Sequence, residues 1–333
     1  MNTASRARRH WQPGRIAGAA LALMMAACGS SGPLEDPRPP ASSGPALKTD
    51  GQTLAAALDC PAQFAGREDP VLMVHGTGTD PGNDWSWSYV PALGVLGYDV
   101  CTVRLPHGAF ADIQESSEYV VHALRQLMLR SGRRVSVIGY SQGALEARLA
   151  IRWWPDVRAG VARYISLAGV HHGSPVTDLA CSTPCSPASW QMRPSSQFLA
   201  ALNAGDPTPG AMPYTSLWSE TDSTAVPPTS ILEGAASIAL QSLCADRRVS
   251  HTGILGDAVA FALVVDALTH EGPANPARID PAVCAADVAP GMDAQFAATR
   301  EARGLLPFVL YDRFAPKPAA EPPLADYAQG GDT

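Results

Sequence analysis

A serine with the local sequence of a catalytic nucleophile lies near the middle of the chain. Residues 139–143 read Gly-Tyr-Ser-Gln-Gly, directly after the apolar run 135–138 and directly before a helical pattern over 144–150. A strand, a sharp turn and a helix in this order expose the serine at the turn, where glycines leave room and the helix N-terminus adds partial positive charge. The pattern therefore predicts that Ser141 is a nucleophile.

The order of residues along the chain selects a general base for this serine. After a turn of this kind, the catalytic residues follow in the order Ser, then Asp or Glu, then His. That order excludes His75, His107 and His122 and leaves His171, His172, His251 and His270. The first two of these follow the next predicted strand too closely for an acid to intervene, and the last lies beyond an apolar helix. His251 is therefore the predicted base.

The predicted acid lies in the loop after a short apolar segment. Residues 214–218 form a plausible strand, and the loop that follows contains Glu220 and Asp222. We assign Asp222 as the acid that orients His251 and keep Glu220 as the alternative. An ordinary solvated carboxylate is the competing interpretation for either residue.

Two backbone N–H groups are needed to stabilise the oxyanion that forms during acyl transfer. One comes from the residue after the nucleophile, here Gln142, and the other from the loop after the first buried strand. That loop reads His-Gly-Thr-Gly-Thr over 75–79, and its glycines let the backbone approach a ligand. We assign Thr77 as the second donor, with its hydroxyl as a third, and expect a structural role for His75.

Short apolar runs alternate with helical patterns through most of the chain. Strands are predicted at 71–74, 98–103, 135–138, 164–167 and 214–218. A helix is predicted over 113–130, with Asp112 as its N-cap and Gly132 just beyond its end. This alternation predicts a mostly parallel, doubly wound α/β sheet flanked by helices, with functional residues at the carboxyl ends of the strands. We expect one such domain over 53–315.

The two ends of the chain differ in composition from this domain. Arginines precede an apolar run over 16–27 that is too short to cross a bilayer, so residues 1–27 are predicted to be an export signal. Cys28 follows small residues, as in bacterial lipoprotein signals, and we expect it to be lipidated; cleavage at an ordinary site is the alternative. Residues 28–52 are predicted to be a flexible tether and 316–333 a loose Pro/Ala-rich tail. The location would be the outer membrane, the cell surface or the medium.

The cysteine count fits an exported protein. With Cys28 assigned to lipid, an even number remains: Cys60, Cys101, Cys181, Cys185, Cys244 and Cys284. Six thiols in an oxidising compartment predict three disulfides. Only Cys181 and Cys185 are close in sequence and no second pair matches their spacing, so no metal site is expected. The net charge of −7, with scattered basic residues, gives no sign of a nucleic-acid partner.

Four segments together resemble a known family, the α/β-hydrolase lipases similar to Candida antarctica lipase B. They are the oxyanion segment 71–79, the Ser-Gln-Gly at 141–143, the acid loop 219–222, and Cys244 a few residues before His251. The similarity runs over nearly the whole predicted domain. It implies an α/β-hydrolase fold with a triad of Ser141, Asp222 and His251 and oxyanion donors at Thr77 and Gln142.

The resemblance also implies a disulfide framework. In this sequence it implies one bridge between Cys60 and Cys101 and another between Cys244 and Cys284. The second bridge would hold the loop that carries the base. Cys181 and Cys185 have no counterpart in that family and are expected to form a small local bridge. No cysteine follows Cys284, so a further C-terminal bridge of the family is missing here.

The activity implied by the resemblance is hydrolysis of carboxylic esters through an acyl-enzyme, with a small-molecule or lipid ester as substrate and with no cofactor, metal or protein partner. Because one triad serves many substrates, a polyester depolymerase and a thioesterase are alternatives, as is a non-catalytic surface-binding lipoprotein. The Pro- and Ser-rich segment 171–213 would form a cap over the acyl pocket. Trp85 and Trp87 either line that pocket or pack in the core.

Overall fold

The structure, a computed structural model, describes residues 43–303 and 306–330. The predicted export signal, Cys28 and the first part of the predicted tether lie outside the described residues, as do 331–333 of the predicted tail. Within the part of the chain that is described, no helix combines the length and the apolar character needed to cross a bilayer.

A 7-stranded sheet forms the centre of the fold. Its strands are β1 (Leu58–Asp59), β2 (Val71–Val74), β3 (Val100–Val103), β4 (Val135–Tyr140), β5 (Val161–Leu167), β6 (Tyr214–Trp218) and β7 (Ala236–Ala239). They lie side by side in the order β1-β3-β2-β4-β5-β6-β7, with β1 antiparallel to β3 and all other neighbours parallel. Strands β2 and β4 are buried at every residue, which explains why β2 is apolar throughout and why β4 is mainly apolar, with Ser136 as its one aliphatic hydroxyl side chain. The mostly parallel sheet agrees with the sequence prediction.

Helices flank this sheet. They are α1 (Gly51–Ala56), α2 (Pro81–Asp84), α3 (Tyr89–Val95), α4 (Ile113–Ser131), α5 (Gly143–Trp153), α6 (Pro155–Gly160), α7 (Pro175–Ala180), α8 (Pro187–Gln191), α9 (Gln197–Asn203), α10 (Pro227–Ser230), α11 (Ala258–Thr269), α12 (Ala294–Arg303), α13 (Leu306–Asp312) and α14 (Asp326–Gln329). Helix α4 begins at the predicted residue and ends one residue later than predicted. Both predicted end signals are observed: the Asp112 side chain accepts a hydrogen bond from the Gln114 N–H, and Gly132 adopts φ 65° beyond the last turn.

The observed strands differ from the predicted ones mainly at their ends. The predicted strands 71–74 and 214–218 coincide with β2 and β6. Strand β3 begins later than predicted because the N–H of Tyr98 still donates to the Leu93 carbonyl of α3, which delays the start of the extended chain. Strands β4 and β5 are longer than predicted, since their added residues also pair with neighbours in the sheet.

The predicted cap-like insertion lies between β5 and β6. It contains α7, α8 and α9, and the Cys181–Cys185 disulfide joins the end of α7 to the segment before α8. The other two disulfides are Cys60–Cys101, which attaches the segment after β1 to β3, and Cys244–Cys284, whose first cysteine precedes the loop of His251. A covalent link near a functional loop restricts the conformations of that loop.

The chain before residue 53 is more closely packed than a tether. The backbone N–H groups of Lys48 and Thr49 donate to the Glu118 carboxylate at 2.8 and 2.7 Å, and α1 already begins at Gly51. Hydrogen bonds from successive N–H groups to one buried carboxylate order a segment whose composition alone favours flexibility.

The segment 316–330 is also packed against the domain, in contrast to the loose tail predicted from its composition. The Glu321 carboxylate accepts hydrogen bonds from the N–H groups of Gln197 and Phe198 at the start of α9. The Tyr327 ring packs against Trp153 and Trp154. A single aromatic anchor and a helix cap are too sparse to produce a compositional signal, so the sequence prediction missed them.

Candidate active site

Ser141 lies at the sharp turn between β4 and α5. Its backbone adopts φ 54°, a left-handed conformation that costs free energy for a residue other than glycine. The turn is closely packed: a Cβ added at Gly143 would lie 2.4 Å from the Val74 carbonyl oxygen, and one at Gly139 would lie 2.5 Å from the Cα of Ala144. Both glycines of the predicted motif are therefore required by space, and Ser141 is held in a fixed position, 7 % exposed.

Ser141 begins a short series of hydrogen bonds. Its Oγ lies 2.9 Å from Nε2 of His251, and Nδ1 of the same ring lies 2.7 Å from Oδ2 of Asp222. Oδ1 of Asp222 accepts from the N–H groups of Thr224 and Ala225, so both carboxylate oxygens have partners. This arrangement fits a hydroxyl, a base that can accept its proton, and an acid that orients the base.

The alternative acid and the alternative bases lie elsewhere. Glu220 is exposed, and its N–H donates to the Gln241 side chain. His171 is buried, with Nε2 3.1 Å from the Ser166 hydroxyl. His172 and His270 are exposed. None of these side chains contacts Ser141 or His251 in the described structure.

The loops of Asp222 and His251 support each other. The Thr221 hydroxyl donates to the Val249 carbonyl and accepts from the Val249 N–H, which joins the two loops beside the site. The Tyr140 hydroxyl donates to the His251 carbonyl at 3.1 Å, and the two rings lie with centroids 5.2 Å apart. The Tyr140 hydroxyl thus holds the backbone of His251, while the Tyr140 ring and the Asp222 carboxylate contact its imidazole.

Thr77 and Gln142, the predicted oxyanion donors, contact each other through their side chains. The Thr77 hydroxyl donates to Oε1 of Gln142 at 2.5 Å. Nε2 of Gln142 in turn donates to the Ala109 carbonyl at 2.8 Å and to Glu146 Oε1 at 2.7 Å. The two residues predicted as oxyanion donors are therefore joined through their side chains, an arrangement that fixes the Gln142 rotamer.

His75 has the structural contacts expected of it. Its Nε2 accepts from the Leu105 N–H at 2.9 Å, so the ring proton is on Nδ1, which donates to the Gly76 carbonyl at 2.8 Å. Burial lowers the pKa of His75 to about 4, so the ring is neutral at pH 7. The neutral ring of His75 therefore connects the start of the oxyanion loop, residues 75–79, to Leu105 in the segment after β3.

Asp84 contacts the oxyanion loop from the other side. It is fully buried, and its carboxylate accepts from the Gly76 N–H at 3.2 Å and from the Thr79 hydroxyl at 3.0 Å. Burial raises the pKa of Asp84, and the nearby Arg300 guanidinium, 3.4 Å away, opposes that rise. Gly76 and Thr79 lie on either side of Thr77, so this carboxylate helps to shape the backbone that carries the predicted donor.

Glu146 is a buried acid that the sequence prediction did not consider. It lies on α5 with no exposed surface. Its Oε1 accepts from Gln142, and its Oε2 has no hydrogen-bond partner among the described residues. Burial raises the pKa of Glu146 to about 8, so this carboxyl is mostly protonated at pH 7. It supports Gln142 as a neutral hydrogen-bond acceptor.

We expect Glu146→Gln to reduce the loss of stability that occurs as the pH rises from about 5 to 8. The carboxyl titrates near its ordinary value of 4.5 when unfolded and at about 8 when folded, so the folded state binds the proton more tightly. Its stabilising contribution is complete below pH 4.5 and is lost as the pH rises towards 8. Glutamine keeps the acceptor for Gln142 but does not ionise. Urea unfolding should show that the wild-type free energy of unfolding falls by on the order of 2–3 kcal/mol more than that of the variant between about pH 5 and 8. Equal slopes in the two proteins would contradict this.

A mostly apolar pocket opens at Ser141. Its lining includes Thr77, Ser141 and His251 and apolar side chains contributed by several elements: Val170, Val176, Ala180, Met192 and Phe308. Val176 and Ala180 belong to α7 and Met192 follows α8, so the insertion between β5 and β6 covers part of the pocket. Such a lining fits an apolar acyl group next to the nucleophile.

The aromatic residues considered for this pocket have other positions. Trp85 is fully buried with its edge towards Tyr140, and Trp87 stacks on Phe296 with ring centroids 5.4 Å apart. Neither lines the pocket, so both belong to the core packing. Among the described residues there is also no cluster of three His, Cys, Asp or Glu side chains that could hold a metal ion.

Comparisons with known proteins agree on one family. A family model described as Lipase (class 2) matches residues 68–243. Lipase B of Pseudozyma antarctica is 30% identical over 263 residues, which cover 74% of this chain and 75% of that protein.

Solved structures give the same result. The crystal structure of Aspergillus fumigatus lipase B superposes with a TM-score of 0.78 at 29% identity, covering 86% of this chain and 74% of that one. The propeptide form of the Bacillus licheniformis lipase BlEst2 matches with a TM-score of 0.50 at 19% identity, covering 66% of this chain and 54% of that one. The latter similarity concerns the fold alone.

Proposed function

Because the chain belongs to the class 2 lipase family and is a carboxylic ester hydrolase, we propose that it acts through Ser141, His251 and Asp222. Ser141 attacks the ester carbonyl while His251 accepts its proton, and the tetrahedral intermediate collapses as His251 returns that proton to the leaving alcohol. A water molecule, deprotonated by His251, then releases the acid from the acyl-enzyme. Asp222 holds the imidazole in the tautomer whose Nε2 can accept a proton.

The observation that carries this proposal is a pair of hydrogen bonds at His251: its Nδ1 donates to Asp222 Oδ2 at 2.7 Å, and its Nε2 accepts from the Ser141 hydroxyl at 2.9 Å. The serine that they connect to the base has φ 54° and lines a mostly apolar pocket. The pocket lining favours esters with an apolar acyl group. Family membership does not favour the depolymerase, thioesterase or non-catalytic alternatives.

Hydrolysis of p-nitrophenyl esters, from acetyl to palmitoyl, tests the proposal. The purified protein should release p-nitrophenol, and the dependence of kcat/KM on chain length should distinguish a lipase from a short-chain esterase. A serine-directed phosphonate should inactivate the protein with one label per chain, located on Ser141. A protein that hydrolyses none of these esters and takes up no label at Ser141 would overturn the proposal.

We also propose that Thr77 and Gln142 supply the oxyanion donors through their backbone N–H groups. The Thr77 hydroxyl, whose one proton is directed at Gln142 Oε1 here, would turn to the oxyanion as a third donor when the ester reacts. Thr77→Val keeps the backbone donor but removes the hydroxyl that contacts Gln142. The expected result is a loss of about a hundredfold in kcat with little change in KM, since the oxyanion exists in the transition state and not in the bound ester. Thr77→Ser, which retains the hydroxyl, should keep most of the activity. Equal activity in the two variants would exclude a role for the hydroxyl.

We propose further that the protein is exported and anchored by lipid at Cys28. The three disulfides support export, because such bonds persist in oxidising compartments. Mass spectrometry of the mature N-terminus would detect acyl chains on Cys28, and Cys28→Ser should move the protein from the membrane fraction to the soluble fraction. An unmodified Cys28 would leave secretion as the alternative.

A further inference from the structure

Helix α12 places a carboxylate against both neighbours of His251. On the basis of the proposed function, we infer that Glu301 is a positioning residue for the general base, acting through the hydroxyls of Ser250 and Thr252. Glu301 does not touch Ser141 or the imidazole in the described structure. Glu301 would instead determine the position of the His251 imidazole relative to Ser141.

The contacts of Glu301 span the residue that it would position. Its Oε2 accepts from the Ser250 hydroxyl at 2.7 Å and from the Thr252 hydroxyl at 2.6 Å. The backbone of His251 is thereby held at both sides by one oxygen atom. Hydrogen bonds to a charged acceptor are stronger than those between neutral groups.

The Ser250 hydroxyl is directed towards Glu301 by the loop itself. The Gly253 N–H donates to Ser250 Oγ at 3.0 Å, so this oxygen acts as an acceptor within the turn. Its own proton is then available for the carboxylate. The Ser250 and Thr252 hydroxyls also lie 3.4 Å from each other, but both are closer to Glu301 Oε2, so the base loop and α12 fit together as donors and acceptor.

An exposed carboxylate can position a loop only if it is itself held in place. Helix α12 is attached to the rest of the domain at two points, one near its start and one near its end. Near its start, Phe296 stacks on Trp87, and the Asp293 N–H that precedes it donates to the Trp87 carbonyl at 2.9 Å. Near its end, the buried Arg300 contacts Asp84. Glu301 is next to this second anchor, so its backbone moves little relative to the active site.

The expected consequence is a loss in kcat at nearly constant KM. His251 must lie within hydrogen-bond distance of Ser141 as the proton moves, and a displacement of about 1 Å can cost on the order of a hundredfold in rate. Because Glu301 is exposed and other contacts also hold His251, we expect Glu301→Ala to lower kcat by about tenfold. The rate of phosphonate inactivation should fall by a similar factor, because it requires the same proton transfer.

Two further variants of the full-length protein separate positioning from a general effect on stability. Glu301→Gln keeps an oxygen that can accept from both hydroxyls and should recover most of the lost kcat. Thr299→Ala alters another exposed residue of α12, whose hydroxyl donates within the helix, to the Gln295 carbonyl at 2.9 Å. This control should match wild type in kcat and KM.

The outcomes distinguish this inference from the proposed function. Activity in the wild type, none in Ser141→Ala, and wild-type kcat in Glu301→Ala would overturn the role of Glu301 and leave the triad intact. A Glu301→Gln variant as impaired as Glu301→Ala would also contradict positioning by this oxygen. Absence of ester hydrolysis in the wild type would overturn the proposed function itself. Assays well below the melting temperature of each variant remove unfolding as a cause of lost rate.

Discussion

Ser141→Ala is expected to lower kcat for p-nitrophenyl ester hydrolysis by on the order of a million-fold, which is the scale of loss when the nucleophile of a triad is removed. The reason is that alanine leaves no oxygen to form the acyl-enzyme, while the base and the pocket keep their positions. Initial rates with a short-chain ester measure the loss. Phosphonate labelling of the variant, which should be absent, guards against trace wild-type enzyme in the preparation.

Ser136→Ala provides a matched control for this variant. Ser136 lies in the same strand, β4, and is also buried, and its hydroxyl has no hydrogen-bond partner in the described part of the chain. Removal of that hydroxyl should leave kcat and KM near the wild-type values. Residual activity in Ser141→Ala within a hundredfold of wild type would mean that another group carries out the attack.

The features that sequence could predict are those that depend on neighbours along the chain. The glycines around Ser141 are needed because β4 turns directly into α5, and a pattern of five residues records that requirement. The ends of α4 were predictable for the same reason, since Asp112 caps the first turn and Gly132 follows the last. Asp222 and His251 follow from the order of catalytic residues along the chain, which the fold fixes.

The features that sequence could not predict depend on contacts between distant segments. Glu146 resembles any helical glutamate, and only its burial and its hydrogen bond with Gln142 show that it supports this proposed oxyanion donor. Arg300 and Asp84 are far apart in the chain, and no spacing rule connects them. Trp85 and Trp87 left two interpretations open because a buried aromatic side chain packs equally well in a core and in an acyl pocket.

Three separate loops bring the proposed triad together. Ser141 follows β4, Asp222 follows β6 and His251 follows β7, so the site forms only when these parallel strands are in register. The Cys244–Cys284 bridge and the hydrogen bonds of Thr221 then hold the two loops that lack the rigidity of a strand-helix turn. The turn between β4 and α5 thus positions Ser141, the proposed nucleophile, while the disulfide and the hydrogen bonds between loops position His251, the proposed base.

Asp222→Asn is expected to lower kcat by about ten-thousandfold, because the amide enforces the wrong tautomer of the base. The Oδ1 position accepts from the N–H groups of Thr224 and Ala225, so the amide oxygen of asparagine must remain there. Its NH2 group then faces Nδ1 of His251, which has to act as an acceptor. The ring proton moves to Nε2, and that nitrogen can no longer accept the proton of Ser141.

Glu220→Gln is the control, because Glu220 is the other acid in this loop and its exposed side chain lies away from His251. Its backbone bond to Gln241 is unaffected, so this variant should retain wild-type kcat. The melting temperature of each variant should be measured together with its rate. Both are expected to stay near the wild-type value, because Asp222→Asn preserves the shape and most hydrogen bonds of the loop. If Asp222→Asn kept activity within tenfold of wild type while Glu220→Gln lost it, the acid that orients His251 would be Glu220, reached by a rearranged loop.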